Sequence, residues 1–387
     1  MKVALLSWES LHSIPVGGVG THVTELGAAL ERRGHEVHVF TRMGHGQSHY
    51  ELIHGVHYHR CKFDLNPNFV DEVNNMCGSF VHRLLEAEWV GGPFNIIHAH
   101  DWLAANAMIW VRQQRDRRGV LTIHSTEYGR CGNSFHNGQS ARVRYQEGAG
   151  CSWADRIIAV SRSLKHEIQW IYQVPDWKVS VVYNGVNVHN FDGWIEPAVV
   201  KRRYSIGPTD PTVLFLGRMA FQKGPDLLVE TIPSILKFYP GAKFIFAGEG
   251  ELRRGVEARA HQLGVAHATR FVGFQANGGL ADLYKCCDVV CVPSRNEPFG
   301  IVILEGWSAS KPVVSTKRGG PAEFVWHGVN GLQVDDTPDS VAWGLGSLLA
   351  DHNRCRWMGR NGRAAVDAVF SWDNIAEQTE MAYGSIA

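Results

Sequence analysis

The 387-residue sequence contains no apolar run of membrane-spanning length, and its opening Met1-Lys2-Val3-Ala4-Leu5-Leu6-Ser7-Trp8 meets Glu9 too soon for a secretory h-region. A cytoplasmic protein with a strand at its start is therefore expected. Net charge is also missing: 38 lysines and arginines balance 38 aspartates and glutamates, which leaves no footprint for nucleic acid. The eight cysteines include no Cys-x2-Cys pair, so disulfide scaffolds and zinc ribbons are excluded and reduced thiols expected. Cys286, Cys287 and Cys291 straddle a helix end and a buried strand, where packing explains them. Glycines after the first strand lack the strict Gly-x-Gly-x-x-Gly spacing of dinucleotide-binding dehydrogenases.

What is present is ordinary for a globular protein at 44% hydrophobic and 20% charged residues. Its length exceeds the size of a single core, so two domains are expected. The basic run 112–118 falls where a helix after Trp102 should end, and cations there complement the helix dipole. The histidine-rich stretch 45–59 invites a metal reading, but His57 and His59 alternate with Val56 and Tyr58 as in a half-exposed surface hairpin.

Short runs rich in valine and isoleucine recur, each followed by an amphipathic stretch, the pattern of a parallel sheet with crossover helices. Strands are expected near 3–8, 36–41, 96–99, 120–124, 156–160 and 179–183, with a helix at 21–33. The pattern restarts after a Gly/Asn/Pro-rich region, with strands at 212–216, 243–247, 270–272, 289–293 and 312–315. The fold class is thus α/β, two doubly wound Rossmann-like domains facing a central cleft: 1–188, completed by a C-terminal helix 371–387, and 189–370. Ligands of such sheets bind outside the carboxyl ends of the strands.

The residues just after the strands carry the chemistry. Gly17-Gly18-Val19-Gly20 opens a helix and lets backbone N–H groups approach an anion. Arg218 and Lys223 stand after the strand 212–216, where a leaving diphosphate needs neutralisation. In His98-Ala99-His100-Asp101-Trp102, His100 can serve a sugar hydroxyl while Asp101 caps the following helix. His124, Ser125, Glu127 and Arg130 form a polar cluster suited to a hydroxyl-rich acceptor. Glu297 and Glu305 flank a helix start with Glu305 two turns in, roughly 12 Å apart along its axis, a span suited to an elongated anionic ligand such as a nucleotide-sugar. Gly319-Gly320 makes a second glycine turn at a helix start.

Assembled, these motifs resemble those of the retaining glycosyltransferases of family 4, including glycogen-synthase-like members, along nearly the whole chain. The resemblance implies a GT-B fold, with acceptor on the first domain and nucleotide-sugar on the second. It assigns the donor sugar to Glu297, the ribose to Glu305 and the diphosphate to Arg218 and Lys223. Backbone groups near Phe299, Gly300 and Ile301 would touch sugar and phosphate, and His100 would lie beside the donor sugar. Gly18, Gly20, Val272 and Phe274 complete the donor set, and Gly17 joins the acceptor set. Retention without metal or other cofactor is implied. Pro15-Val16 and Lys317-Arg318 depart from the bacterial glycogen-synthase pattern and leave UDP-glucose, ADP-glucose or another hexose donor open. A nucleotide-sugar 2-epimerase or a non-catalytic nucleotide-sugar sensor on the same scaffold are the alternatives.

Overall fold

The computed structural model describes residues 1–275 and 277–386, in two compact units: Met1–Gly185 with Trp372–Ala387, and Val186–Ser371. The first holds eight strands: β1 (Lys2–Leu6), β2 (Glu36–Arg42), β3 (Tyr50–Ile53), β4 (Val56–Cys61), β5 (Ile96–His100), β6 (Arg118–Ile123), β7 (Arg156–Ala159) and β8 (Val179–Val181). Their order is β3-β4-β2-β1-β5-β6-β7-β8, parallel except for β3, which runs antiparallel to β4. Every residue of β1 and β5 is buried, as in strands covered on both faces.

The second unit holds β9 (Thr212–Leu216), β10 (Lys243–Ala247), β11 (Thr269–Gly273), β12 (Val289–Val292), β13 (Val313–Thr316) and β14 (Gly331–Val334). The order is β11-β10-β9-β12-β13-β14, and every pairing is parallel. Its core is built from alternating strand residues such as Val213, Phe215, Phe244 and Phe246 packed against helical Leu228, Ile232, Leu345 and Leu348.

The direction of winding reverses once in each sheet, between β1 and β5 and between β9 and β12. Doubly wound sheets take ligands outside the carboxyl ends at such a switch point. Chain direction therefore delivers residues 7–9 and 100–101 to one switch point, and residues 217–223 and 293–297 to the other.

Two elements differ from expectation. The hairpin β3–β4 exists, but β4 pairs with β2 and lies one strand in from the edge, so Tyr58, His59 and Arg60 are buried. Strand β14, Gly-Leu-Gln-Val, is too short and too interrupted to announce itself. The final helix, Trp372–Gly384, closes on the first unit. Tyr383 Oη lies 2.7 Å from His98 Nδ1, and Asp373 and Glu380 pair with Arg32 and Arg33 at 2.6 and 2.5 Å. The Trp372 indole fills the space beside Gly185, where a Cβ would stand 2.7 Å from the ring.

Burial keeps the Cys286, Cys287 and Cys291 thiols protonated and inert. In the basic run, Arg112 pairs with Asp155 at 2.8 Å and Arg117 with Glu88 at 2.7 Å. No helix among the described residues is long and apolar enough to cross a membrane.

Candidate active site

In the second unit the loop after β9 sits directly on the end of β12. Gly224 permits this approach: its φ is +69°, and a Cβ there would stand 2.2 Å from the Pro293 carbonyl oxygen. Lys223 is thereby carried to Glu297, with Nζ 2.9 Å from both carboxylate oxygens. Glu297 is buried, and Ser294 Oγ also donates to it at 2.9 Å. A buried carboxylate persists only with such compensation. Arg295 locks the two loops together with a fork on Asp226 at 2.9 and 2.7 Å and its guanidinium 4.0 Å over the Phe221 ring. Arg218 remains exposed, 3.5 Å from Gln222 Oε1.

The helix Ile301–Ser308 starts after Gly300 in the left-handed region, with no side chain capping its first N–H groups. Ile303 N donates to the Gly300 carbonyl at 2.9 Å, and the amides before it, at the uncapped helix start, can face an anion. Gly319-Gly320 packs onto the preceding turn, Gly320 N donating to the Glu297 carbonyl at 2.8 Å. At Gly319, φ +79°, a Cβ would fall 2.0 Å from that same oxygen. Buried Phe299 holds the turn from below.

Glu305 stands one turn into this helix rather than the two expected, because the helix begins only at Ile301. Burial raises its pKa, and Tyr284 Oη donates to its Oε2 at 2.6 Å. Val272 and Phe274 come from the carboxyl end of β11, two strands out from β9. Phe274 is exposed.

In the first unit the glycine turn opens the helix Gly18–Arg32 with Gly17 as its N-cap. The anion that its neighbouring amides meet is the protein's own. Glu9 Oε2 accepts from Val16 N at 2.7 Å and Gly17 N at 2.5 Å, and a Cβ on Gly20 would stand 3.4 Å from it. Burial raises the Glu9 pKa. A donor or acceptor anion is therefore left the first-turn amides after Gly17, a narrower role than the sequence suggested.

His100 ends β5 fully buried among other imidazoles. Its Nδ1 lies 3.2 Å from His124 Nε2, its ring stacks on His98 at 4.4 Å, and its Nε2 has no hydrogen-bond partner among the described residues. His22 lies edge-on to both His100 and His124 and places Nδ1 2.8 Å from Asn184 Oδ1. Burial holds all four imidazoles neutral, His124 pushed down to about 3. Asp101 does not cap the next helix. With φ +58° its carboxylate turns to His124 N at 2.7 Å, and burial lifts its pKa to about 6.

Arg130 and Glu127, expected to meet an acceptor, are engaged within the protein. Arg130 donates to the Ser125 carbonyl at 2.7 Å, to Glu127 at 3.2 Å and to buried Glu147, which also receives Glu127 N at 2.9 Å. Three charged groups in one buried cluster leave each other little capacity for a ligand. His124 and Ser125 are half-buried.

Among the described residues, two groups gather metal-type ligands. His22, His100 and His124 bring ring nitrogens within 4.8 Å of one another, as do Glu36, His38 and His57 with their ligand atoms. In the second group the His38 and His57 rings are stacked 4.3 Å apart and 9° from parallel, so one ion cannot lie in both ring planes.

Comparison with known proteins matches this layout. The family model described as Glycosyltransferase Family 4 covers residues 16–190, and that described as Glycosyl transferases group 1 covers residues 199–365. An uncharacterized glycosyltransferase of Methanocaldococcus jannaschii is 36% identical over 99% of this chain and 98% of its own length. The chain belongs to glycosyltransferase family 4. A glycogen synthase of Mycobacterium tuberculosis is 29% identical over 99% of this family 4 glycosyltransferase and 94% of its own length. Among solved structures, sucrose-phosphate synthase from Thermosynechococcus elongatus shares the fold, with TM-score 0.83, 24% identity and coverage of 100% and 98%.

Glu9, Ser294, Arg295 and Tyr284 of this glycosyltransferase were not among the expected residues. Ser294, Tyr284 and Glu9 hydrogen-bond to Glu297, Glu305 and Gly17, which were. Ser294 and Arg295 sit in the run leading to Glu297, whereas Tyr284 lies in a helix with nothing local to mark it.

Proposed function

We propose that this family 4 glycosyltransferase is a retaining, metal-independent hexosyltransferase that moves a glucosyl group from UDP- or ADP-glucose to a hydroxyl of a carbohydrate acceptor. The observation that carries the reading is the Lys223–Glu297 pair beside the uncapped start of the helix Ile301–Ser308. A diphosphate entering there meets a cation and open amides of a helix N-terminus, while the carboxylate is placed for sugar hydroxyls. The names of the glycogen synthase and sucrose-phosphate synthase relatives support a hexosyl transfer.

In the reaction the bond between the anomeric carbon and the diphosphate oxygen breaks as the acceptor oxygen attacks from the same face. The acceptor proton passes to the departing diphosphate. Lys223, Arg218 and the helix amides hold the growing negative charge, and electrostatics preorganised in this way contribute several kcal/mol to the rate. Neutral His100 offers Nε2, which has no hydrogen-bond partner among the described residues, and Glu305 receives ribose hydroxyls at its unshared oxygen.

The test is a screen of UDP-, ADP- and GDP-hexoses against glucose, disaccharide, glucan and sugar-phosphate acceptors, read as nucleotide release with and without EDTA. Product whose anomeric proton is equatorial, with the small H1–H2 coupling of the α-linked donor, formed equally in EDTA, is expected. Absence of release from every donor overturns the reading; release abolished by EDTA overturns metal independence.

A further inference from the structure

Beyond the polar residues already placed, the first unit displays three aromatic side chains in mutual contact, two from the segment after β6 and one from the helix after β7. Tyr128 lies in the short helix Glu127–Arg130, Phe135 in the loop after it, and Trp170 in the helix Arg162–Tyr172 that follows β7. Ring centroids are 5.0 Å apart for Tyr128 and Phe135, 5.2 Å for Tyr128 and Trp170, and 5.7 Å for Phe135 and Trp170. Phe135 is 52% exposed and Trp170 55% exposed, so neither is a core residue. An exposed aromatic patch of this kind marks a binding surface.

From this trio we infer a docking platform for a neutral oligosaccharide chain, the acceptor end of the hexosyl transfer proposed above, on which this inference rests. Hexose rings present apolar C–H faces with a hydroxyl rim, and the trio answers both. Flat rings are offered to the C–H faces, and the loop 131–138, Cys-Gly-Asn-Ser-Phe-His-Asn-Gly, surrounds Phe135 with short polar side chains. The charge balance argues for a neutral ligand over an anionic lipid surface. Arg144, 5.0 Å from the Phe135 centroid, already directs a guanidinium N–H to the His136 carbonyl at 2.6 Å, and Arg130 is held by Glu127 and Glu147. Tyr128 follows His124 by four residues, so its Cα lies within about 14 Å of that histidine's. An oligosaccharide on the platform has at most about 14 Å of backbone separation to span from Tyr128 to place its terminal sugar at the carboxyl end of β6.

The experiment uses the full chain with maltoheptaose, cellohexaose and chitohexaose as probes, followed by indole fluorescence, and vesicles of anionic phospholipid as a second arm. Saturable binding of at least one oligosaccharide is expected, weakened tenfold or more in Phe135→Ala and in Trp170→Ala, with glucose bound no better by wild type than by either variant. Nucleotide release to water or to a monosaccharide should be unchanged in both variants, whose thermal melts report folding. Binding of no oligosaccharide, binding indifferent to both substitutions, or retention on vesicles alone overturns the platform. Transferase activity that persists in that case leaves the hexosyltransferase reading standing.

Discussion

Lys223 and Glu297 meet with one ammonium nitrogen 2.9 Å from both oxygens of one buried carboxylate. Seventy-four residues separate them in sequence, and the close seating of Gly224 on Pro293 brings them together. The pair keeps the site charged and preorganised before a ligand arrives. In the proposed reaction a diphosphate would compete for a cation that is already in place.

Removing either partner should therefore have different consequences for stability and for turnover. Lys223→Met leaves Glu297 buried with only Ser294, and loss of one partner of a buried pair costs about 3–5 kcal/mol. Glu297→Gln should cost less, since the amide oxygen still accepts from Lys223. Both should lower kcat by about two to three orders of magnitude, the range seen when one group stabilising transition-state charge is lost. The double substitution should regain much of the stability and none of the activity. Melts and steady-state kinetics on the three variants check this, and near-normal turnover in Lys223→Met would refute the phosphate role.

Glu305 and Tyr284 make a second, subtler pair. The tyrosine hydroxyl fixes the carboxylate at Oε2 and leaves Oε1 for a ligand. Tyr284→Phe removes one hydrogen bond to a buried charged group, worth about 1.5–3 kcal/mol, and frees the carboxylate to rotate. Donor KM should rise about tenfold or more with kcat little changed, the signature of lost ground-state binding. An altered kcat at unchanged KM would show that Glu305 acts elsewhere.

How much of this was legible follows from what each residue depends on. Strands at 212–216 and 243–247 match β9 and β10 residue for residue because they are continuous apolar runs bounded by turn residues. The Lys223–Glu297 neighbourhood was legible because both lie just past strand ends, where topology alone collects side chains. Asp101 was misjudged for a complementary reason. Its position before Trp102 suits a cap, but a left-handed backbone and the amide of His124 are tertiary facts with no local signal. The tie between Arg130 and Glu147, seventeen residues on, likewise has no local signal. The burial of His59 depends on which strand β4 chooses as neighbour, and periodicity does not encode that.

Glu9 offers a test of the glycine turn. Its carboxylate is the anion that Val16 N and Gly17 N meet, and an uncharged isostere keeps the shape while weakening both bonds. Glu9→Gln should change stability by less than the contribution of a hydrogen bond to a charged group, about 1.5–3 kcal/mol, because losing the charge also relieves the burial that raises the Glu9 pKa. Glu9→Ala should cost more, leaving two amides unsatisfied. Hydrogen exchange at Val16 and Gly17 should accelerate in both variants while distant strands stay protected. Unchanged exchange there would show that the turn holds its shape without Glu9.

The buried imidazoles set the acid limit of the first unit. His22, His98 and His100 are held well below the ordinary histidine value by burial, His124 and His59 are lowered to about 3 and His38 to about 4. A folded pKa lowered below the unfolded one means that the unfolded chain takes up protons first. The stability these neutral rings allow is complete above pH 6.5 and is lost as pH falls below it, by about 1.4 kcal/mol per pH unit for each histidine. Asp101, raised to about 6, and Glu9 and Glu147, also raised by burial, act in the opposite sense, because the folded state holds their protons longer. The histidines outnumber them, six against three, and so set the sign of the acid slope. Melting temperature should accordingly stay level from pH 8 to 7 and fall steeply from 6.5 to 5. His124→Asn, which removes one titrating ring, should reduce the acid slope by about one proton. A melting temperature flat between pH 6.5 and 5 would mean that these imidazoles are solvated and charged in the folded state.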